Sequence, residues 1–291
     1  MRKLIKKIHT IITILSILVL LSSSCQNSKQ NESNDGINDW DMSAIGFFET
    51  TLEDMHLLEN KVKVAIVDSG NNNEYPNIEN GYNVIDNSFN TEDQIGHGTL
   101  ITFKLNQLCP NLTIIPIKVT NEKDNVLVKN FVDGIKKAIE YNVDVINISM
   151  GISSDHSEIQ EVIKEANTKG IVVVASAGNQ GKSSLDYPAA YDDVISVIAR
   201  SDSNIDLSTN NKSKTKKSFS APGINVPIGK GKMSGCSIAT IYVTALVSTL
   251  KSIDYSLTND DIQKILIGSS AFYTDYSYGM INFERAIAML R

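Results

Sequence analysis

From Val62 onward the sequence alternates short, β-branched apolar runs with amphipathic helical stretches, and few architectures can bury such a pattern. Lys61 to Val67 reads as a buried strand that runs into a turn at Asp68-Ser69-Gly70. Further strands are predicted over Thr113 to Val119, Val143 to Met150, Ile171 to Ser176 and Val194 to Ala199. Between them, Phe131, Val132, Ile135, Ala138 and Ile139 fall at helical spacing within Val128 to Tyr141. Ser157 to Thr168 is a second amphipathic helix, closed by Gly170. Ile238 to Ser252 forms a long apolar helix, and Thr258 to Ile267 a shorter capped one. Strands without polar alternation need cover on both faces, so the expected class is α/β, a mostly parallel sheet with helices on either side. Active sites of such sheets lie at the carboxyl ends of the strands.

The first forty-odd residues do not share this pattern. Arg2, Lys3, Lys6 and Lys7 make a basic start, and Ile11 to Leu21 is an apolar run interrupted only by Thr13 and Ser16. A run of that length suits a signal-peptide core better than a bilayer span. Leu21-Ser22-Ser23-Ser24-Cys25 follows, and it resembles a bacterial lipoprotein cleavage site with Cys25 as lipid acceptor, the Leu standing one place further out than usual. Ordinary secretion and an uncleaved anchor are the alternatives. Residues 1–25 are therefore expected to be an export signal. Gln26 to Asp39 is rich in Asn, Ser, Gln and charge, so residues 26–45 read as a polar tether and residues 46–291 as one catalytic-size domain. The 42% hydrophobic content suffices for one large core.

Loss of residues 1–25 leaves 23 Lys and Arg against 33 Asp and Glu, a net charge of −10. That excess argues against nucleic acid as a partner. Cys109 and Cys236 remain after Cys25. A disulfide between them is not expected, and no Cys/His spacing suggests a metal site.

Asp68 ends a buried strand, where an unpaired carboxylate is costly and a partner is needed. His97 stands in Gly96-His97-Gly98-Thr99 after a polar loop. A lone histidine is more often structural than catalytic, but a strand-terminal Asp that orients an imidazole would satisfy both groups. Ser237, in Ser234-Gly235-Cys236-Ser237-Ile238-Ala239, precedes the long apolar helix, either as a simple cap or as a nucleophile at a positive helix end. Ala177-Gly178-Asn179 follows a buried strand and alone would suggest only a turn.

Taken together these segments closely resemble the signature stretches of subtilisin-like proteases, the subtilases, in that family's chain order of Asp, His, Asn and Ser. Val145-Ile146-Asn147-Ile148-Ser149-Met150-Gly151, Tyr187-Pro188-Ala189 and Phe219-Ser220-Ala221-Pro222-Gly223 add to the match, which runs from about residue 60 to the end. The resemblance implies a serine endopeptidase with Asp68, His97 and Ser237 as triad and Asn179 as oxyanion donor. It implies that Ser149-Met150-Gly151 and Ser176-Ala177-Gly178 flank an extended peptide substrate. No cofactor is implied for the chemistry, and structural calcium is left open. The different-class alternative is an inactive subtilase fold that binds peptides.

Three positions depart from the family's habit. Cys236 replaces a Thr and would be a poorer oxyanion donor. Ile241 replaces a Pro and leaves the long helix unkinked. Leu100 replaces a His. Residues 26–67 leave no room for the folded inhibitory propeptide common in the family, which points to a dedicated processing protease. Asp186 stands just before Tyr-Pro-Ala, where the family usually has Gly at the base of the S1 pocket. A carboxylate there would select Arg or Lys at P1, unless a shifted loop turns it to solvent. Short tethered subtilases with such a pocket resemble lantibiotic leader peptidases, which would make a lantibiotic precursor the substrate.

Overall fold

The computed structural model describes residues 40–48, 61–123, 126–202, 209–216, 218–229, 231–272 and 278–291. The expected export signal, the lipid acceptor Cys25 and the tether as far as residue 39 lie outside the described residues.

Helix α1 (Trp40–Ala44) opens the described chain, and β1 (Lys63–Asp68) and β2 (Tyr82–Asn83) follow. Then come α2 (His97–Leu108), β3 (Thr113–Lys118), α3 (Val128–Glu140), β4 (Val145–Ile148), α4 (Ser157–Thr168) and β5 (Val172–Ser176). The remainder is β6 (Val194–Arg200), β7 (Ser218–Pro222), a hairpin of β8 (Val226–Ile228) and β9 (Gly231–Met233), α5 (Cys236–Ile253) and α6 (Asn259–Ser269). The chain closes with β10 (Ala271–Phe272), β11 (Tyr278–Met280) and α7 (Phe283–Ala288).

Among the described residues, nine strands form one sheet in the order β10-β11-β7-β6-β5-β4-β1-β3-β2. Every neighbouring pair is parallel except β10 with β11. The expected mostly parallel sheet, covered on both faces, is what the chain forms. Alternate residues feed two cores, as the period of a strand requires. Val64 and Ile66 of β1 pack with Ile101 and Leu105 of α2 and with the apolar length of α5. Ala65 and Val67 face the other way, toward Phe131 and Ile135 of α3 and Ile159 and Val162 of α4. The sheet grows to opposite sides of β1, with β3 on one flank and β4 on the other. That is a switch point, where strand ends part and leave a crevice. Asp68 is the last residue of β1.

Two expectations change. The polar tether was placed as far as residue 45, yet α1 is already part of the folded body: Asp41 and Ile45 are buried. Asp41 Oδ2 accepts from Lys104 Nζ of α2 at 2.8 Å and from the Tyr242 hydroxyl of α5 at 2.5 Å. Phe47 meets the Phe283 ring edge-on, with centroids 4.9 Å apart. Residues 40–45, Trp-Asp-Met-Ser-Ala-Ile, are too few to show a periodicity, and the partners that bury their one carboxylate lie far along the chain. Secondly, α2 was not expected. Gly98 in its first turn and scattered apolar residues hide a helix that is held by tertiary packing instead of a clean stripe.

Candidate active site

The site collects at the carboxyl ends of β1, β4 and β5 and at the start of α5. Asp68 is 1% exposed, and its Oδ1 accepts from the Ser69 backbone N–H at 2.7 Å and pairs with His97 Nδ1 at 2.8 Å. Oδ2 is buried without a hydrogen-bond partner among the described residues, so Oδ1 carries the stabilisation of this carboxylate. An Nδ1–H that donates to Asp68 fixes the imidazole tautomer and leaves Nε2 as the acceptor. His97 is the first residue of α2, and Gly98 beside it makes the approach possible. A Cβ on Gly98 would lie 2.3 Å from the Gly70 carbonyl oxygen and 3.1 Å from Asp68 Cβ.

The loops that carry Asp68 and His97 are tied together by residues the sequence did not single out. Asp93 Oδ2 accepts from the Thr99 N–H at 2.9 Å and from the Thr99 hydroxyl at 2.7 Å, while its Oδ1 takes the Gly96 N–H at 2.8 Å. It thereby caps α2, whose own N-cap, Gly96, has no side chain to do so. Burial pushes the Asp93 carboxyl up, but hydrogen bonds from Thr99, Gly96 and Ser69 outweigh burial and hold it below its ordinary value. Lys118, in register with Asp68 across β1 and β3, donates to the carbonyls of Ser69 (2.9 Å) and Glu92 (2.7 Å) and to Gln94 Oε1 (2.7 Å). Burial lowers its pKa, and nearby acids, Asp93 first, oppose that shift. A lysine at the end of an otherwise apolar strand was the visible signal.

Ser237 is the second residue of α5 and is 8% exposed. Its carbonyl accepts from the Ser149 hydroxyl at 3.1 Å. Ser149 in turn accepts from Asn147 Nδ2 at 2.9 Å, and Asn147 Oδ1 accepts from the Thr244 hydroxyl at 2.8 Å. This chain of hydrogen bonds pins the start of α5 to the end of β4. Asn179, exposed on the loop after β5, accepts the Cys236 N–H through Oδ1 at 2.8 Å. That contact sets its amide orientation and leaves Nδ2 as a donor. A single point beside Gly235, where a Cβ would stand, is 3.2 Å from Ser237 Oγ and 3.4 Å from Asn179 Nδ2. The hydroxyl and the amide donor therefore converge on one small space.

Cys236 does not behave as a substitute oxyanion donor. Its thiol is fully buried and donates to Asn210 Oδ1 at 2.8 Å and to the Gly178 carbonyl at 3.3 Å. Burial pushes this thiol up to about 12, so it stays protonated. Cys109 is likewise a free buried thiol, and no disulfide joins the two.

The two expected substrate-flanking segments face each other across Asp186. Ile152 and Tyr187 exchange backbone hydrogen bonds at 2.8 Å, and Asp186 N–H donates to the Ala177 carbonyl at 3.0 Å. Ala177 N–H is also used, by Val197 O at 2.9 Å. Asp186 is 3% exposed and does not turn to solvent. Its carboxylate fills the space a side chain at Gly178 would need, since a Cβ there would lie 2.4 Å from Asp186 Oδ2. Gly178, at φ +101°, is thus fixed by both its conformation and its neighbour.

Comparison with known proteins agrees with this geometry. Residues 59–285 match the profile of the Subtilase family. The major intracellular serine protease of Bacillus subtilis (strain 168) is 31% identical over 239 residues, which are 72% of this chain and 73% of that one. Subtilisin of Bacillus pumilus is 30% identical and covers 77% of this chain and 90% of its own. The minor extracellular protease Epr of Bacillus subtilis (strain 168) is 25% identical across 88% of this chain, which spans only 43% of Epr. Among solved structures, a lanthipeptide protease superposes with a TM-score of 0.75 at 23% identity, over 87% of this chain and 94% of its own. A cold-adapted subtilisin-like serine proteinase gives a TM-score of 0.69 at 20% identity, over 76% and 88% of the two chains.

Proposed function

Since this chain belongs to the subtilase family of serine-type endopeptidases, we propose that it hydrolyses extended peptides with Ser237 as nucleophile, His97 as base and acid, and Asp68 as orienting carboxylate. The observation that carries the proposal is the 2.8 Å pair of Asp68 Oδ1 with His97 Nδ1, on a helix that packs against the helix bearing Ser237. With Nδ1–H committed to Asp68, Nε2 takes the Ser237 proton as Oγ attacks the scissile carbonyl, and returns it to the leaving amine. The negative oxygen that forms is met by Asn179 Nδ2 and by the Ser237 N–H, at the positive end of α5. Water then attacks the acyl-enzyme by the same proton route.

The substrate reading goes further. Asp186, held between the two flanking segments, is the base of the S1 pocket and favours Arg or Lys at P1. The enzyme trims a precursor peptide after export, and a lantibiotic leader fits that chemistry. A solved lanthipeptide protease shares the fold, but the proposal rests on Asp186. Cys25 as lipid acceptor would hold the domain on the outer face of the membrane.

Labelling with an uncharged fluorophosphonate tests the chemistry. Wild-type protein should be labelled and Ser237→Ala should not, with peptide hydrolysis lost in the same variant while the fold is kept. Hydrolysis that persists in Ser237→Ala removes Ser237 from the mechanism, and an unlabelled wild type favours a peptide-binding protein without activity.

A further inference from the structure

The cation that neutralises Asp186 comes from the protein itself. Lys182 Nζ lies 3.4 Å from Asp186 Oδ1 and donates to Ser153 Oγ at 2.9 Å. The partners are unequally placed: the Asp186 side chain is 5% exposed and that of Lys182 37%. The backbone beneath Lys182 is fixed, because its N–H donates to Asn211 Oδ1 at 3.0 Å and its carbonyl accepts from Lys212 N–H at 2.9 Å. Only the flexible stem must move for the ammonium to leave the carboxylate. A buried carboxylate without a cation is costly, which explains why the protein supplies one. The contact is nevertheless longer than the roughly 2.7–2.9 Å of a strong charge-assisted bond, so a better-placed guanidinium could displace it.

We propose that Lys182 is a specificity-determining residue that occupies the S1 carboxylate in the free protein and swings aside for a basic P1 side chain. This rests on the reading of Asp186 as the base of that pocket. When P1 is apolar, Lys182 stays and Asp186 remains paired, so the neutral residue meets little penalty. When P1 is Arg or Lys, its charge must compete with Lys182. The resident lysine therefore narrows the discrimination between basic and neutral peptides. A partly exposed ion pair of this kind is worth about two- to fivefold in an equilibrium constant. The effect falls on KM, because Lys182 touches none of the reacting atoms.

The experiment compares wild type, Lys182→Met, Lys182→Arg and Asp186→Asn on matched peptides with Arg or Leu at P1, with benzamidine as a small cationic inhibitor. Fluorophosphonate labelling of Ser237 certifies that each variant is folded. Lys182→Met keeps the stem and removes the charge. It should raise the Arg-to-Leu ratio of kcat/KM by about two- to fivefold, mainly through KM, and tighten benzamidine by a similar factor. Lys182→Arg offers a bidentate plug and should move both readouts the opposite way. If wild type prefers Arg and Asp186→Asn erases that preference, but both Lys182 variants leave the ratio and benzamidine unchanged, the role of Lys182 is overturned and the pocket reading survives. If neither wild type nor Lys182→Met prefers Arg or binds benzamidine, the pocket reading itself fails and takes the inference with it.

Discussion

Asn179 has two roles that substitution can separate. Its Oδ1 holds the Cys236 N–H at the start of α5, and its Nδ2 faces the space beside Ser237 Oγ. Asn179→Ala removes both contacts, whereas Asn179→Asp keeps an acceptor for Cys236 and replaces the donor with a negative oxygen. Both variants should lose turnover with KM little changed, by about 10²–10³ for Ala, the loss known for the corresponding donor in subtilisin itself. Asp should lose at least as much while it keeps the thermal stability that Ala gives up. Steady-state kinetics beside a melting curve separates the outcomes. Equal turnover in Asn179→Ala and wild type would take Asn179 out of the oxyanion site. Asp68 and His97 were legible because the cost of a buried carboxylate demands a partner. Asp93 and Lys118, which hold their loops in place, were not singled out: Asp93 acts through the folded turn before α2, and Lys118 through carbonyls 26 and 49 residues away.

At the scale of elements, α1 is the lesson. Five residues, Trp40–Ala44, form a helix too short to stand alone, and they persist because Asp41 meets Lys104 and Tyr242 in the core. The strap touches α2, which carries His97, and α5, which carries Ser237. Asp41→Ala would leave the Lys104 ammonium buried and unpaired, a change that typically costs about 3–5 kcal/mol. Asp41→Asn keeps acceptor geometry and should cost less. Urea unfolding of the two variants checks this order, and a variant of the protein that begins at residue 46 should be less stable than one that begins at residue 40. Helix α5 makes a related point. It is long and apolar enough to cross a membrane, yet 89% of it is buried inside the protein. Ile241 lies fully buried within it, and the helix runs without a break from Cys236 to Ile253.

For the whole molecule, pH dependence of stability follows from groups the chemistry does not use. Burial pushes the thiols of Cys109 and Cys236 up to about 12 from 9.0. Each adds stability that is complete below pH 9 and drains away as pH climbs toward 12, because the unfolded chain releases its proton first. Lys216 acts oppositely: burial lowers it to about 8 from 10.5, so its cost to the fold fades between those values. A comparison of wild type with Cys109→Ala isolates one thiol. Between pH 9 and 10.5 the variant should lose less stability per pH unit, by up to about 1.4 kcal/mol. Identical slopes in chemical denaturation would mean that the Cys109 thiol titrates as if exposed. Location is also a property of the whole chain. If Cys25 is acylated, full-length protein should enter the detergent phase on Triton X-114 partition, and Cys25→Ala should return it to the aqueous phase. Wild-type protein found only in the aqueous phase would favour plain secretion.

What the sequence determined by itself was whatever repeats locally or chains of like residues can announce. The bounds Ser157–Thr168 for α4 emerged unchanged, because periodicity and a terminal glycine are written within a dozen residues. Asp68, His97, Asn179 and Ser237 stood out because their short motifs occur in one chain order. Tertiary structure alone decided the rest. It brought Asp41 to Lys104 and Tyr242, turned the Cys236 thiol inward onto Asn210, and set Lys182 against Asp186. The first two have no local signature, and the four-residue spacing of Lys182 and Asp186 pairs side chains only in a helix, which residues 182–186 do not form. A charge or thiol is compatible with solvent at any single position, and only the three-dimensional path of the chain fixes which partner replaces the water it loses.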